Sequence, residues 1–316
     1  MVPLLSGGRI MAVLAASVLC DAMLLHRTGL GIEATLALAA FAGWAIIAMA
    51  FCYLCRAPRT CAQRIARDFV EGVSLFALVS LLGAVASYPL AAGQHPFVDT
   101  KLENIDRMLR FDWLGWYAWV AGHAWIQALE RMAYLSIFAT PALLIGYFAW
   151  TGRRAEGRLF VATFWVAAAV TLALFPLFPA AGPFATLWHG PAPYMPLSAL
   201  YQDQVIIALR QHEIHAIDLG ALHGLVCAPS FHAASAIIYI ATAWRVAALR
   251  WPVVIISGAM LLATPVEGTH YLTDILGGVA VAYLALRLTP ALIRWSETVG
   301  MGWRHAFRDR TPATAE

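Results

Sequence analysis

Apolar runs of about 20 residues recur along this chain, and no other feature limits its fold as strongly. A helix of that length spans the hydrocarbon core of a bilayer. Eight such runs lie near 10–26, 35–55, 70–92, 132–150, 159–178, 231–249, 252–268 and 272–292. Because backbone polar groups in lipid must be satisfied within the protein, the pattern predicts an all-α fold: a polytopic integral membrane helix bundle of about eight transmembrane helices.

The composition agrees with a membrane protein and excludes several other classes. Hydrophobic residues make up 61% of the 316 residues and charged residues 12%, whereas soluble domains carry about 25% charged residues. The net charge of +3 is small and dispersed, so nucleic acid is not an expected partner. The five cysteines lack the paired spacing of a metal or disulfide framework. We therefore expect no metal and no other cofactor.

Arginine gives the orientation of the predicted helices. If eight spans alternate in direction, fifteen of the 21 basic residues fall on one side: Arg9, Arg56, Arg59, Arg64, Arg67, Arg153, Arg154, Arg158, Arg245, Arg250, Arg287, Arg294, Arg304, Arg308 and Arg310. Basic residues concentrate in cytoplasmic loops. We therefore expect a multi-pass protein of a bacterial inner or plasma membrane, with both termini in the cytoplasm.

Two long segments fall on the opposite, outer side of the membrane. In residues 93–131, apolar residues recur at helical spacing between charged ones, as Val98, Leu102, Ile105 and Leu109. This spacing predicts an amphipathic helix, which either caps the bundle or contacts a ligand. The second segment, residues 179–228, opens with two prolines in PAAGP, which predict a rigid exit from the fifth span.

Two histidines and an aspartate stand out in the apolar C-terminal half. His232 begins the sixth span and His270 lies in the turn between the seventh and eighth, so antiparallel helices bring both to the outer surface. Ionisable residues in such surroundings usually serve function. Asp274 follows His270 by four residues and shares its helix face. Its carboxylate would accept the imidazole N–H and fix the tautomer.

This arrangement suits phosphoryl transfer. His270 would attack phosphorus and form a phosphohistidine, while His232 would protonate the leaving oxygen. Ser230 and nearby backbone amides at the start of the helix would bind phosphate oxygens. Two alternatives are polar residues buried for helix packing and a proton relay in a transporter. The position of both histidines at one surface, rather than at mid-membrane, argues against the relay.

The segments PSFHAA and HYLTDILGG, which contain these residues, resemble the second and third motifs of the type 2 phosphatidic acid phosphatase (PAP2) superfamily. Within it they are most similar to the branch of the fungal inositol phosphorylceramide synthases. The segments DTKLENIDRMLRFDW, RMAYLS and LFPAAGP extend the resemblance over roughly the last two-thirds of the chain. The resemblance implies that His270 is the nucleophile, Asp274 its partner and His232 the motif-two histidine.

The resemblance also implies a division of the chain. Residues 1–92 would form N-terminal transmembrane helices, residues 93–292 a PAP2-like catalytic membrane domain, and residues 293–316 a cytoplasmic tail. The catalytic residues would then lie on the outer face of the membrane.

Departures from the phosphatase pattern favour the phosphotransferase branch. Phe231 stands where phosphatases have glycine before the histidine, and Thr264 stands where they have arginine six residues before the nucleophile. Both positions would contact substrate. The acceptor implied is an alcohol, such as an inositol-like polyol or glycerol, or water. Glu267, three residues before His270, would orient a histidine or an acceptor hydroxyl.

A phosphate group still requires positive charge, and no arginine stands in the third motif to supply it. The outer-side candidates are Lys101, Arg107, Arg110 and Arg210. The sequence does not choose among them.

We therefore expect a membrane-embedded lipid phosphate phosphatase or phosphotransferase whose partners are a lipid phosphate substrate and membrane lipids. The alternative is a non-enzymatic transporter or scaffold on the same fold. Such a protein would carry ionisable residues deep within several helices, for which Asp21 and Glu71 are the candidates. The lipid, the acceptor and the oligomeric state stay open.

Overall fold

The computed structural model describes residues 6–308 of the chain, and the side chains of residues 6–296. The described residues form an all-α bundle, as predicted. Its helices are α1 (Gly7–Thr28), α2 (Leu36–Leu54), α3 (Cys61–Ala91), α4 (Asp99–Met108), α5 (Trp113–Ala121), α6 (Ala124–Thr151), α7 (Arg154–Leu174), α8 (Pro183–Leu187), α9 (Gln202–Arg210), α10 (Phe231–Trp244), α11 (Ala247–Glu267) and α12 (Leu272–Arg308). Two short parallel strands, β1 (Gly31–Ile32) and β2 (Ala216–Ile217), join the loop after α1 to the second outer segment.

Seven of the helices in this described range are long and apolar enough to cross a membrane: α1, α2, α3, α6, α7, α11 and α12. They account for seven of the predicted spans. The sixth predicted span, 231–249, is wrong in length, because the helix ends at Trp244 after 14 residues. Val246 adopts an extended backbone and its carbonyl accepts the first amides of α11. Arg250, which we expected to end the sixth span, therefore lies in the first turns of α11.

The fourth span also begins earlier than predicted, at residue 124 rather than 132. The apolar run is interrupted at Glu130 and Arg131, and the sequence places the start of the helix after them. In the structure both residues are helical and Glu130 is buried. Charged residues therefore lie inside the first turns of α6, at the end of the bundle where α10 begins.

The basic clusters lie at one end of the bundle, where α3 and α7 begin and α6 ends. Arg154 contacts Asp68 at 3.3 Å and also bonds to Glu71, while Arg158 bonds to Glu71 at 2.5 Å. Arg64 donates to the carbonyl oxygen of Ala149 at 3.3 Å. Glu71 is thus paired with arginines and is not a lone ionisable residue within a helix. It therefore no longer supports the transporter alternative, for which it was one of two candidate residues.

The core of the bundle lies between α3, α6, α7, α10, α11 and α12. Buried side chains of these helices form one cluster that includes Leu144, Phe164, Tyr239, Val253 and Met260. Large apolar side chains on α2 instead point outward, as expected for a helix in contact with lipid. The predicted tail, residues 293–316, lies partly outside the described residues; α12 continues through residue 308.

Candidate active site

His270 lies in the short turn between α11 and α12, next to the first turn of α12. Its Nδ1 is 3.6 Å from Oδ2 of Asp274, an ion-pair distance, and both side chains are buried. The same carboxylate oxygen accepts the backbone amide of Tyr271 at 3.1 Å. The structure thus places the imidazole and the carboxylate side by side, as the four-residue spacing predicts. The carboxylate itself is held by the backbone of the turn.

The turn that carries His270 is strained and closely packed. Thr269 has φ of +50°, a left-handed conformation that β-branched residues rarely adopt. Gly182, in the AAGP segment, packs against it, and a β-carbon at Gly182 would lie 2.7 Å from the Thr269 carbonyl oxygen. A larger residue at position 182 would therefore displace the turn. The glycine of this segment allows the loop after α7 to approach the residue before His270.

His232 lies in the first turn of α10 and is held by Tyr134 of α6. The two rings stack with their centroids 4.0 Å apart and their planes 13° from parallel. The Tyr134 hydroxyl is also 3.2 Å from Nδ1 of His232 and 3.2 Å from the hydroxyl of Ser198. A neutral imidazole bonded through Nδ1 keeps Nε2 available for proton transfer.

The two histidines belong to one cluster. A β-carbon built on Gly268 would lie 2.6 Å from Cδ2 of His270 and 3.1 Å from Cε2 of Tyr134, so both rings meet at this glycine. The imidazoles of His232 and His270 are also close enough to interact electrostatically. Tyr134 therefore links the histidine of α10 to the turn that carries His270. The sequence did not indicate this residue, although it lies in the RMAYLS segment.

The two histidine motifs contact each other directly through their backbones. The amide of Ser230 donates to the carbonyl oxygen of Asp274 at 2.9 Å. A β-carbon at Gly278 would lie 2.1 Å from the Ser230 carbonyl oxygen, and one at Gly277 would lie 3.1 Å from Pro229. Glycine at position 278 is therefore required for α12 to pack against the start of α10, and Gly277 also lies close to that segment.

In a comparison with protein families, residues 100–288 match the model of the PAP2 superfamily. The chain belongs to the PAP2 superfamily. The matched region begins in α4, ends in α12 and includes His232, His270 and Asp274. No curated protein and no solved structure gives a match. PAP2 proteins are in general phosphatases and phosphotransferases; the inositol phosphorylceramide synthase-like branch stays a prediction.

Three residues predicted to contact substrate in this PAP2 protein make contacts with the protein itself, two within their own helix and one between helices. Ser230 is buried and its hydroxyl accepts the amide of Ala233 at 3.4 Å, which caps α10. Thr264 donates to the carbonyl oxygen of Met260 at 2.7 Å within α11. Phe231 packs edge-on against Phe164, with centroids 5.0 Å apart. These side chains shape the site through packing and capping.

The predicted phosphate-binding cations lie on the periphery of the site. Arg107 pairs with Glu103 and its side chain is 72% exposed. Arg210 stacks on Phe97 at 3.9 Å and donates to a backbone carbonyl in α3. Lys101 and Arg110 are exposed. The structure does not bring these four residues into the histidine cluster formed by the described side chains.

Arg131 is the cation that the structure places next to this cluster. It lies three residues before Tyr134 on α6, and its Nε is 3.7 Å from Oε2 of Glu267. Its guanidinium also donates to the carbonyl oxygen of Met195 at 3.0 Å. The sequence assigned Arg131 to the outer side but not to the site. Arg131 precedes the apolar run from which the fourth span was predicted, so no hydropathy signal in the sequence would have identified it.

Glu267 fixes the outer loop against the turn that carries His270. Its buried carboxylate accepts hydrogen bonds from the Tyr194 hydroxyl and from the amide of Leu197 at 3.1 Å. Burial, followed by the bond to Glu267, raises the pKa of Tyr194, so the phenol remains a donor. Glu267 therefore holds residues 194–197 against the end of α11, three residues before His270.

Two buried aspartates of α4 accept hydrogen bonds from the segments on either side of the site. Asp99 accepts the amides of Ala181 and Gly182, at 3.0 and 2.9 Å, and the Tyr271 hydroxyl at 3.2 Å. Asp106 accepts the amides of Leu272 and Thr273, at 2.7 and 2.9 Å, and the Thr273 hydroxyl at 2.6 Å.

The amphipathic helix predicted at this position is confirmed as α4, but its orientation differs from a simple amphipathic pattern. The aspartates face inward, while Ile105 is 41% exposed. The hydrogen bonds that the two carboxylates accept from backbone amides compensate the free-energy cost of burying them. We infer that α4 packs on the site and fixes it as a cap. A contact of α4 with a ligand stays a prediction.

One group of metal-ligand side chains is present among the described residues: Cys227, His270 and Asp274, whose ligand atoms lie within 4.8 Å of one another. Burial, followed by the neighbouring Asp274 carboxylate, raises the pKa of the Cys227 thiol well above its ordinary value. A protonated thiol is a poor metal ligand. The thiol, the imidazole and the carboxylate therefore form one buried group beside the start of α12.

Two cavities adjoin the cluster from different sides. One, of about 180 Å³, lies between α3, α6, α7 and α10; it has a mainly apolar lining and includes His232. The other, of about 290 Å³, lies on the loop side of the turn that carries His270 and includes Thr269. The histidine cluster is thus placed between an apolar space within the bundle and a more polar space outside it.

Proposed function

We propose that this PAP2 protein is a membrane-embedded enzyme that transfers the phosphoryl group of a lipid phosphate, through a phosphohistidine, to an alcohol or to water. The pairing of His270 with Asp274 at 3.6 Å, in one cluster with His232, carries this proposal. Such a pair supplies a nucleophile whose tautomer is fixed and an acid or base for the leaving and entering oxygens.

In the first half-reaction, Asp274 holds the proton on Nδ1 of His270, so that Nε2 attacks phosphorus. The P–Nε2 bond forms and the P–O bond to the lipid breaks. His232 donates a proton from Nε2 to the leaving oxygen, and Tyr134 keeps its ring in position. In the second half-reaction the neutral His232 accepts the proton of the entering hydroxyl, whose oxygen replaces His270 on phosphorus. Arg131, near the cluster, would neutralise phosphate oxygens.

The apolar cavity beside His232 supports a lipid substrate. Its lining includes Phe76, Val79, Ile137, Phe164 and Phe231. An alkyl chain is the chemistry that gains most from such surroundings. A lipid placed there would present its phosphate to the histidine cluster at the end of the bundle. The arginine clusters at the opposite end support cytoplasmic termini and an active site on the outer face.

Trapping of the covalent intermediate tests the proposal. Purified full-length protein is incubated with ³²P-labelled phosphatidic acid and related lipid phosphates, quenched in alkali and denatured. We expect alkali-stable label on the wild type and none on His270→Ala. Turnover of His232→Gln should fall about 100- to 10,000-fold, the usual contribution of general acid–base catalysis.

His215→Ala, which alters an exposed loop histidine, is the control and should retain both label and turnover. Label retained by His270→Ala would refute the phosphohistidine. A wild type that neither becomes labelled nor releases phosphate from any lipid would favour the transporter or scaffold alternative.

A further inference from the structure

Asp21 is an ionisable residue that the histidine cluster does not use. It lies in α1, about two turns before the helix ends at Thr28, and is 8% exposed. Neither oxygen of its carboxylate has a hydrogen-bond partner within the described part of the chain; Oδ2 is enclosed by protein, whereas Oδ1 keeps accessible surface. Buried polar groups are nearly always hydrogen-bonded, so this exception requires an explanation.

A cavity of about 410 Å³ lies beside Asp21, between α1, α3 and α7. Its walls are mainly apolar and include Leu24, Leu82, Ala86, Leu90 and Leu172. Nε1 of Trp165 donates to the Ser17 hydroxyl at 3.1 Å, which joins α7 to α1 one turn before Asp21. Because Asp21 contributes to the lining and Oδ1 is its accessible oxygen, the edge of the carboxylate borders this cavity.

This space is distinct from the apolar cavity that includes His232. The two cavities share wall residues of α3 and α7, among them Gly83 and Ala168. A β-carbon at Gly83 would lie 4.0 Å from that of Ala168, which is ordinary van der Waals contact. The α3–α7 contact therefore separates the Asp21 cavity from the histidine cluster, and a ligand in one does not occupy the other.

The charge of the lining selects the class of ligand. The described residues that line the cavity include the Asp21 carboxylate and no lysine, arginine or histidine. An ionised carboxylate among apolar side chains is costly unless a cation pairs with it. An anion would be repelled, and a neutral molecule would leave the charge uncompensated. An ammonium group supplies both the opposite charge and N–H donors, while its hydrocarbon body contacts the apolar walls.

We propose that this cavity binds a lipophilic amine, an ammonium group on a hydrocarbon body, with Asp21 as its counter-ion. The binding is non-covalent and independent of the phosphoryl transfer proposed above. It gives a role to the second residue that the transporter alternative named, and it does not require transport. The competing explanation is that the Asp21 carboxyl is protonated and neutral, in which case the cavity has no preference for a cation.

Three probes of the same shape and different charge distinguish these explanations. Adamantylamine, adamantanol and adamantane carboxylate share one hydrocarbon cage and carry an ammonium, a hydroxyl and a carboxylate group near neutral pH. Full-length protein in phosphatidylcholine nanodiscs is titrated with each, and Tm is recorded. We expect the amine to raise Tm in a saturable manner, at a lower concentration than the alcohol. The carboxylate should not raise it.

Asp21→Asn tests the counter-ion. The apparent affinity for adamantylamine should fall on the order of 10-fold, because a hydrogen bond to a charged acceptor is lost, and should then equal that for adamantanol. Without ligand, the Tm of this variant should be no lower than that of the wild type, since the carboxylate has no partner in the described chain. Glu33→Gln, at an exposed carboxylate just beyond α1, is the matched control and should keep the preference for the amine.

Ala169→Phe tests the location, because Ala169 lines the cavity from α7 and is itself exposed, so that a larger side chain fits without repacking the core. The added ring should fill the cavity and remove the shifts caused by both the amine and the alcohol. Ala42→Phe, at an exposed position of α2, is the control and should retain them.

Four results would each overturn the proposal: equal affinities of the wild type for amine and alcohol, a preference for the amine that survives in Asp21→Asn, a lower Tm of ligand-free Asp21→Asn, or shifts that persist in Ala169→Phe. The readout is binding alone. Each of these results therefore leaves the test of the phosphohistidine unaffected.

Discussion

The backbone amide of Ser230 donates to the carbonyl oxygen of Asp274 at 2.9 Å, which fixes the start of α10 against the first turn of α12. The two residues are far apart in sequence, yet the bond joins the segment that carries His232 to the segment that carries His270. Because the bond is between backbone atoms, its length depends on how closely the two helices approach. That distance is set by the glycines of α12.

Gly278→Ala should separate these helices. The added β-carbon would lie 2.1 Å from the Ser230 carbonyl oxygen, and this backbone atom cannot move without moving α10. We expect a loss of about 1–3 kcal/mol of stability, as for overpacked cores, and a loss of activity. Tm in detergent and phosphate release measure the two effects. Gly258→Ala is the control, since a β-carbon there meets open space; equal behaviour of the two variants would contradict the packing argument.

Tyr134→Phe should separate the two roles of this side chain. The phenyl ring keeps the stack on His232, whose centroid is 4.0 Å away, while the hydroxyl at 3.2 Å from Nδ1 is lost. We expect kcat to fall about 10-fold with a stability change near 1 kcal/mol, the usual value of one hydrogen bond. The pH–rate profile should shift, because the hydroxyl no longer contacts the imidazole. An unchanged kcat and profile would show that the ring alone positions His232. Tyr283→Phe, at an exposed tyrosine, is the control.

Asp106→Asn should weaken the attachment of α4 to the start of α12. The carboxylate accepts three hydrogen bonds, from two backbone amides and the Thr273 hydroxyl. Since it caps α12 from another helix, we expect a loss of about 1–2 kcal/mol, comparable to loss of a local helix cap. Thermal unfolding in detergent gives the value. Glu103→Gln removes only an exposed pair with Arg107 and should change Tm little; a similar loss in both variants would count against the cap.

The raised pKa of Tyr194 predicts that the stability of the protein depends on pH. Burial, and then the bond to Glu267, raise its pKa above the ordinary value of 10.0 in the folded protein. The unfolded chain therefore releases this proton first as the pH rises. The stability that the protonated Tyr194 hydroxyl contributes to the folded protein is fully present below about pH 10 and decreases above it. We expect the Tm difference between wild type and Tyr194→Phe to shrink as the pH rises beyond 10. Parallel Tm curves would show that the phenol does not ionise differently in the two states.

The sequence predicted the helices well where one physical signal was sufficient. Apolar length identified every long helix, and the four-residue spacing placed Asp274 beside His270. The sequence did not predict the role of charged residues whose hydrogen-bond partners are far away along the chain. Asp106 caps residues 166 positions away, and the pattern of α4 alone indicates only a polar helix face. Arg131 reaches the site because α6 begins before its apolar run, which no hydropathy signal marks. Tyr134 lies within the predicted span, but its partner His232 is on another helix. The role of Glu267 depends on the fold of the outer loop, whose irregular backbone carries no periodicity.

The short length of α10 limits how far it can reach across a bilayer. Its 14 residues rise about 21 Å, whereas the hydrocarbon core of a bilayer is about 30 Å thick. If the arginine-flanked end of α10 lies at the inner boundary, as in the proposed orientation, the imidazole of His232 lies several ångströms below the outer one. Under the proposed function, a lipid headgroup would then shed water and descend to meet it. Small headgroups would lose the least hydration in this step, so the number of residues in one helix would act as a filter on substrate size.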